Sequence, residues 1–278
     1  DERTPRSRCT GDSIPSDLGV LALARAVAHD DPDARMLETR MIVLSAKGGI
    51  SGGTIASGLY EMDRAHDDDH AGKVLSDPYA LSPDRGAEPT PGDGSDPRGV
   101  THDAVVGAWL APFLMGPINS RVVRRSNALT DWSYGRQFRY AEFMSTGDGV
   151  SGRLAATGMA VGMALGEAAL SLPPLRSMAE RVLPEPGDGP GDEARAKGYF
   201  NISLHTRSTA GVPYRAKVAA KGDPGYAATA MMLATTGMTL AGAGLPTNYG
   251  VLTPATAIGD LLTTNLRLAG MTIEAGRV

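Results

Sequence analysis

The residues with the clearest potential for chemistry lie in a glycine-rich turn between an apolar run and a helix-forming segment. The run Met41–Leu44 predicts a short buried strand, four glycines between positions 48 and 53 break it, and Thr54 opens a helix. Such a turn lets a ligand approach the backbone, and the free N–H groups at a helix start favour negative charge, to which Lys47 adds. The pattern indicates an anion-stabilising site; the alternative is that the glycines only shape a tight turn.

Three other motifs have spacings that could carry chemistry. The segment Gly147–Gly152 matches G-x-G-x-x-G between a predicted strand and helix, but chance explains it in a chain with 35 glycines, and two prolines follow the helix where a second strand is needed. His66 and His70 have an i, i+4 spacing that suits zinc, but the aspartates between them are typical of a solvated turn, so we predict no metal site. Cys9 has no nearby histidine and is expected to be an inert thiol.

Composition limits the classes of function. The chain has 278 residues, 42% of them hydrophobic, which is enough for one good core or two small ones. A formal net charge of −4 gives no global basic field and argues against nucleic acid as the main partner. One cysteine excludes an internal disulfide, and the polar first residues do not resemble a signal peptide. We therefore expect a cytoplasmic protein.

Hydrophobic periodicity predicts helices arranged around a mixed β-sheet, so the expected fold class is α+β. The predicted strands cover residues 41–44, 138–144, 200–208 and 214–220. The predicted helices cover residues 13–29, 54–64 and 154–172, a segment from about 226, and a last segment after 254. In the third helix Gly158, Gly162 and Gly166 form a groove that another helix or a lipid chain could occupy, although Glu167 argues against a membrane span.

Several segments together resemble the saccharopine dehydrogenase-like oxidoreductases, most closely their trans-acting enoyl reductases of lipid-polyketide biosynthesis. The matching segments are residues 12–19, 47–57, 75–89, 121–129, 222–226 and 250–254. In that family an NADP-binding Rossmann domain ends in a turn that reads here Cys9-Thr-Gly-Asp-Ser13, and eight polar residues precede it instead of a strand. The resemblance implies that residues 1–11 are a disordered or truncated remnant of this join and that residues 12–278 form a substrate-binding and dimerisation domain. We expect the chain alone to bind no NADPH.

The resemblance also implies a reaction. In the family, NADPH delivers hydride to the β-carbon of an α,β-unsaturated acyl thioester carried on a polyketide synthase. Lys47, with the turn, would stabilise the enolate, and Tyr79 would donate the proton. Asp12 and Ser13 would lie nearest the nicotinamide. The residues expected to bind substrate are Gly49, Ser51, Gly52, Gly53, Thr54, Arg85, Arg124 and Asn127.

Two other functions stay open at this point. The chain could be a non-catalytic assembly or lipid-contacting module, which the glycine groove would favour, or another dehydrogenase acting on an amino acid or imine. The expected partners are a polyketide synthase or carrier-bound acyl substrate, a second copy of the chain, and, peripherally, lipid.

Overall fold

A computed structural model describes residues 13–49, 51–88, 94–170 and 189–278. The helices are α1 (Ile14–Asp30), α2 (Gly52–Asp67), α3 (Asp69–Ser76), α4 (Gly116–Leu129), α5 (Gly149–Leu170), α6 (Asp192–Ala196), α7 (Ala227–Ala241) and α8 (Pro254–Leu268). The strands are β1 (Met36–Lys47), β2 (Thr101–Asp103), β3 (Ala108–Pro112), β4 (Arg139–Ser145), β5 (Tyr199–Ser208), β6 (Pro213–Lys221) and β7 (Thr272–Arg277). Cys9 and Asp12 lie outside the described residues, as does the end of the predicted helix 154–172.

The strands form one seven-stranded sheet in the order β2-β3-β4-β1-β5-β6-β7. The central strand β1 runs parallel to β4 and antiparallel to β5, and the other pairs are antiparallel. The sheet is therefore mixed and the helices pack around it, which confirms the predicted α+β class. Because β1 has a partner on both sides, the turn that follows it starts from the middle of the sheet.

The main core lies between one face of the sheet and α1. Leu18 and Leu23 of α1 are fully buried, and so is Leu204 of β5. Gly19 lets the helix approach the sheet closely, since a Cβ there would lie 2.9 Å from Leu204 Cδ1. Each large apolar side chain buried in this way contributes about 1.5–3 kcal/mol. This packing fixes α1 against the part of the sheet that β5 and β6 form.

The structure adds three strands to the four that were predicted. β1 extends beyond 41–44 at both ends, and β2, β3 and β7 were not predicted. The strand at 138–144 and the hairpin of β5 and β6 are confirmed, with Gly211 at φ +79° in the hairpin turn. β2 and β7 lie at the two edges of the sheet and are short or polar, so they lack the alternating pattern.

Among the helices that the structure describes, none is both long and apolar enough to span a bilayer.

Candidate functional site

A cavity of about 420 Å³ opens beside the C-terminal half of β1. The starts of α1, α2 and α4, the side of α5, strand β5 and the start of α7 all contribute to its wall. Most of the lining is apolar, and representative residues are Met41, Val43, Phe113, Met144, Ile202 and Met232. Methionines are prominent in it, and their flexible side chains adapt to irregular apolar ligands.

The turn formed by residues 48–53, which we call the glycine turn, lies at this cavity. Gly49, Ser51 and Thr54 line it. Ser51 caps α2, since its Oγ accepts a hydrogen bond from Thr54 N at 3.1 Å. Among the described residues, a Cβ on Gly53 would meet Ser51 Oγ alone, at 3.8 Å. The side-chain position of Gly53 is therefore open, while the N–H of Thr54 is occupied by the Ser51 cap.

The glycine turn is held in place by a second turn far along the chain. Buried Asp223 accepts hydrogen bonds from Gly49 N at 2.8 Å and from Tyr226 N at 2.9 Å. A Cβ on Gly48 would lie 1.9 Å from Asp223 Oδ2, and one on Gly225 would lie 2.4 Å from Gly49 O. Gly48 and Gly225 therefore have a packing role, whereas Gly53 does not. The turn motif at 222–225 marked the position of Asp223 in the sequence. The neighbouring residues did not indicate that Gly49 is its hydrogen-bond partner.

A buried polar cluster forms another part of the cavity wall; we call it the Glu142 cluster, and it comprises Ser13, Ser16, Asn119, Tyr140 and Glu142. Glu142 accepts hydrogen bonds from Tyr140 OH at 2.7 Å and Asn119 Nδ2 at 2.9 Å, and Ser16 forms a further side-chain hydrogen bond with it. Ser16 and Asn119 line the cavity. Burial raises the pKa of Glu142 to about 7, although these hydrogen bonds act in the opposite direction.

Glu142, Ser16 and Asn119 were not predicted from the sequence as site residues, whereas Ser13 was. Ser13 Oγ donates a hydrogen bond to Asn119 Oδ1 at 2.9 Å, so Ser13 belongs to the same cluster. One signal was present in the sequence: Glu142 occupies an inward position of the alternating strand at 138–144, where an apolar residue is the rule.

A second buried carboxylate, that of Asp17, joins three helices. It accepts hydrogen bonds from Ser126 Oγ of α4 at 2.5 Å and from Ala255 N of α8 at 2.7 Å. Burial raises the pKa of Asp17 to about 7. Asp17 does not line the cavity, so we assign it to the packing of α1, α4 and α8.

Four of the predicted site residues do not line the cavity: Tyr79, Arg85, Arg124 and Asn127. The guanidinium carbon of Arg124 lies 5.1 Å from the centre of the buried Tyr79 ring, and that of Arg85 lies 5.4 Å from it. Arg124 donates hydrogen bonds to the backbone carbonyls of Pro78, Gly94 and Tyr140. Burial lowers the pKa of the Arg124 guanidinium. Asn127 bridges Tyr134 N and Gly135 O. These contacts hold loops together.

The structure does not bring this group to the glycine turn. Tyr79 lines a separate groove together with Leu37 and Glu38, at the start of β1. Lys47 is exposed at the end of the same strand, ten residues after Leu37, which is roughly 33 Å along a strand. Lys47 is near the cavity, but its side chain does not line it.

The dinucleotide-like pattern at 147–152 has the expected position between β4 and α5 but the wrong charge. Gly147 and Gly149 have φ of +89° and +68°. Asp148 Oδ1 accepts a hydrogen bond from Gly149 N at 2.6 Å, so a carboxylate already lies at the helix start where a pyrophosphate would bind. A dinucleotide does not fit this turn. Within the described ranges no group of three His, Cys, Asp or Glu residues could hold a metal ion.

An apolar cavity with a few convergent polar groups is the usual form of a small-molecule site, so the chain has an α+β fold with a candidate ligand-binding cavity. Comparison with known proteins identifies its relatives as trans-acting enoyl reductases. The chain is 45% identical over 282 aligned residues to a candidate trans-acting enoyl reductase of Mycobacterium tuberculosis. It is 40% and 38% identical over 281 residues to the trans-acting enoyl reductases of Mycobacterium ulcerans and Mycobacterium bovis.

Each of these alignments covers 97% of this chain but only 66% of the relative. The chain therefore spans slightly less than two thirds of the length of the relatives it matches. No family model matches the chain. No solved structure matches it either.

Proposed function

We propose that this chain is the acyl-binding part of a trans-acting enoyl reductase, an enzyme that reduces an α,β-unsaturated acyl thioester. The observation that carries the proposal is the apolar cavity beside the glycine turn. Its volume of about 420 Å³ is within the range of roughly 300–1,000 Å³ for small-molecule sites. The names of the relatives supply the reaction class.

In this proposal the acyl chain lies among the apolar residues of the cavity and the thioester carbonyl lies at the glycine turn. Ser51, Gly52, Gly53 and Thr54 form the start of α2. Because Ser51 Oγ already accepts from the N–H of Thr54, the N–H groups of Gly52 and Gly53 would stabilise the enolate oxygen. Lys47, exposed beside the turn, adds positive charge to the entrance. The N–H of Gly49 already donates a hydrogen bond to Asp223 Oδ2, so it does not serve the thioester.

The hydride donor is NADPH in this proposal, as the family resemblance implies, and it supplies two electrons to the β-carbon. We infer that it binds outside the described residues because the turn at 147–152 does not fit it, and because about a third of the relative's length lies outside the matched region. The role of Ser13 near the nicotinamide stays a prediction; the contact that the structure gives its hydroxyl is the hydrogen bond to Asn119.

The partner in this proposal is a polyketide synthase or another carrier of the acyl substrate, since the relatives are named as acting in trans. Roles in substrate binding for Arg85, Arg124 and Asn127 stay predictions, as does proton donation by Tyr79. Their separate location favours a role in holding loops.

A binding titration tests the proposal. The chain is titrated with a saturated long-chain acyl thioester by calorimetry, and we expect saturable micromolar binding. Met144→Trp fills the cavity and should weaken binding at least about tenfold, which corresponds to about 1.4 kcal/mol. The matched control is Met238→Trp on α7, where the native side chain is 77% exposed and lies away from the cavity. Equal affinities in both variants would contradict the proposal.

The alternative of a lipid-contacting module is favoured by one observation. On α5, Leu154 and Leu165 are 68% and 65% exposed, and a Cβ on Gly158, Gly162 or Gly166 would meet no described atom within 4 Å. The predicted groove is therefore present and open among the described residues. Binding to phospholipid vesicles, without any thioester binding, would favour this alternative.

A further inference from the structure

The Glu142 cluster contains an ionisable group for which the proposed function has no use so far. Glu142 is 1% exposed and is surrounded by hydrogen-bond donors. A Cβ on Gly116 would lie 3.4 Å from Glu142 Cβ, so the start of α4 packs directly on it. Burying a carboxylic acid costs free energy unless hydrogen bonds compensate for the lost hydration. An apolar residue would fill a purely structural core position without this cost, so a carboxyl group here indicates a further role.

The hydrogen bonds of Glu142 lead to the cavity. Of its three side-chain partners, Ser16 and Asn119 line the cavity, whereas Tyr140 lies on its own strand. Ser13 Oγ donates to Asn119 Oδ1, which orients the amide so that Asn119 Nδ2 faces Glu142. The amide is thus occupied at both ends. The Ser16 hydroxyl is the group that can contact both Glu142 and a ligand.

We propose that Ser16 and Glu142 form a proton relay that protonates the α-carbon of an acyl thioester bound in the cavity. This inference rests on the proposed function. Hydride addition to the β-carbon, from a reduced nicotinamide, leaves an enolate. The Ser16 O–H bond then breaks as the new C–H bond forms at the α-carbon. The proton of the Glu142 carboxyl group moves to Ser16 Oγ, and the resulting carboxylate later takes up a proton from solvent.

The chemical environment suits this role. Because burial raises the pKa of Glu142 to about 7, the group can both give and take a proton near neutral pH. Two other acids act on the cluster: Asp96 raises the pKa of Glu142 by like charge, and Asp17 raises that of Tyr140. Burial also raises the pKa of Tyr140 well above its usual value, so Tyr140 stays a donor.

Exchange of the α-hydrogens tests the relay without any hydride donor, because the same relay must also work in reverse. The full chain is incubated in D₂O with a saturated acyl thioester, and α-deuteration is followed by mass spectrometry. We expect an exchange rate that rises with pH through about 7, as Glu142 becomes the base. Glu142→Gln and Ser16→Ala should each lower it by about 100-fold or more, the usual lower limit for general acid–base catalysis. Ser16→Thr keeps the hydroxyl and should retain exchange.

The matched control is Asp103→Asn, which removes another buried acid that neither lines the cavity nor belongs to the Glu142 cluster. Its exchange rate should stay within about twofold of the wild-type rate. Thioester binding and thermal unfolding are measured on every sample. Wild-type exchange that persists in Glu142→Gln, or a wild-type chain that binds the thioester without exchange, would overturn the relay. A wild-type chain that binds no thioester would overturn the proposed function, and the relay with it.

Discussion

At the scale of residues, two buried acids should set the pH dependence of stability. Burial raises the pKa of both Asp17 and Glu142 to about 7, from 3.8 and 4.5. When the folded pKa exceeds the unfolded one, the folded state binds protons more tightly. The stabilising contribution is then complete below about pH 4 and is lost as the pH rises to about 7.

We therefore predict that the free energy of unfolding falls between pH 5 and pH 8 by about 1–3 kcal/mol for each acid, at 1.36 kcal/mol per pKa unit. The double variant Asp17→Asn/Glu142→Gln should lose most of this dependence. Urea unfolding at a series of pH values measures it. A wild-type chain that is equally stable at both pH values would show that these carboxyl groups titrate normally.

At the scale of elements, the glycines of the glycine turn differ in how much space surrounds them. Gly48 has no space for a side chain, because Asp223 Oδ2 would lie 1.9 Å from its Cβ. Gly53 is exposed and its Cβ would meet Ser51 Oγ only at 3.8 Å. Gly48 therefore fits the interpretation of the turn as a packing feature, whereas an anion-stabilising role stays a prediction.

We predict that Gly53→Val keeps its thermal stability while enoyl reduction falls by about 10²- to 10³-fold, measured in a fusion that supplies a nucleotide-binding domain. Gly48→Val should instead lower the melting temperature by several degrees, since about 1 kcal/mol shifts a domain of this size by roughly 2–4 °C. Activity that falls only in step with stability in both variants would mean that the whole turn is scaffold.

Local patterns predicted the elements whose signals are local. The hairpin of β5 and β6 and the strand–turn–helix around Thr54 follow from alternation and glycine placement. The partners of these elements could not be predicted in the same way. Asp223 is 174 residues from Gly49, and Asn119 is 106 residues from Ser13, so only the folded chain joins them. The edge strands were missed because short polar segments carry little periodicity.

At the scale of the whole molecule, the prediction that this chain alone binds no NADPH can be tested directly. We predict no saturable NADPH binding below about 100 μM, a strength of roughly −5.5 kcal/mol. The physical reason is the Asp148 carboxylate at the start of α5, which would repel a pyrophosphate. Fluorescence titration measures this, and Asp148→Asn is the matched variant. Tight NADPH binding by the wild-type chain would place a nucleotide site within it.

We also propose that the chain self-associates, since α5 exposes several apolar side chains. The side chains of Leu154, Val161 and Leu165 are at least half exposed. In the proposed self-association, a second copy of the chain covers part of this apolar surface of α5.

The cavity and the groove of Tyr79 lie at opposite ends of β1, so the most direct test of the proposed function is to find which of them the acyl chain occupies. An acyl thioester with a photoreactive diazirine in its chain is bound to the wild-type chain, irradiated, and the labelled peptides are identified by mass spectrometry. We expect labels on cavity residues such as Met144, Ile202 and Met232, and we expect an excess of unlabelled thioester or the Met144→Trp substitution to reduce the labelling. Labels concentrated on the groove of Tyr79 and Arg136 would contradict it.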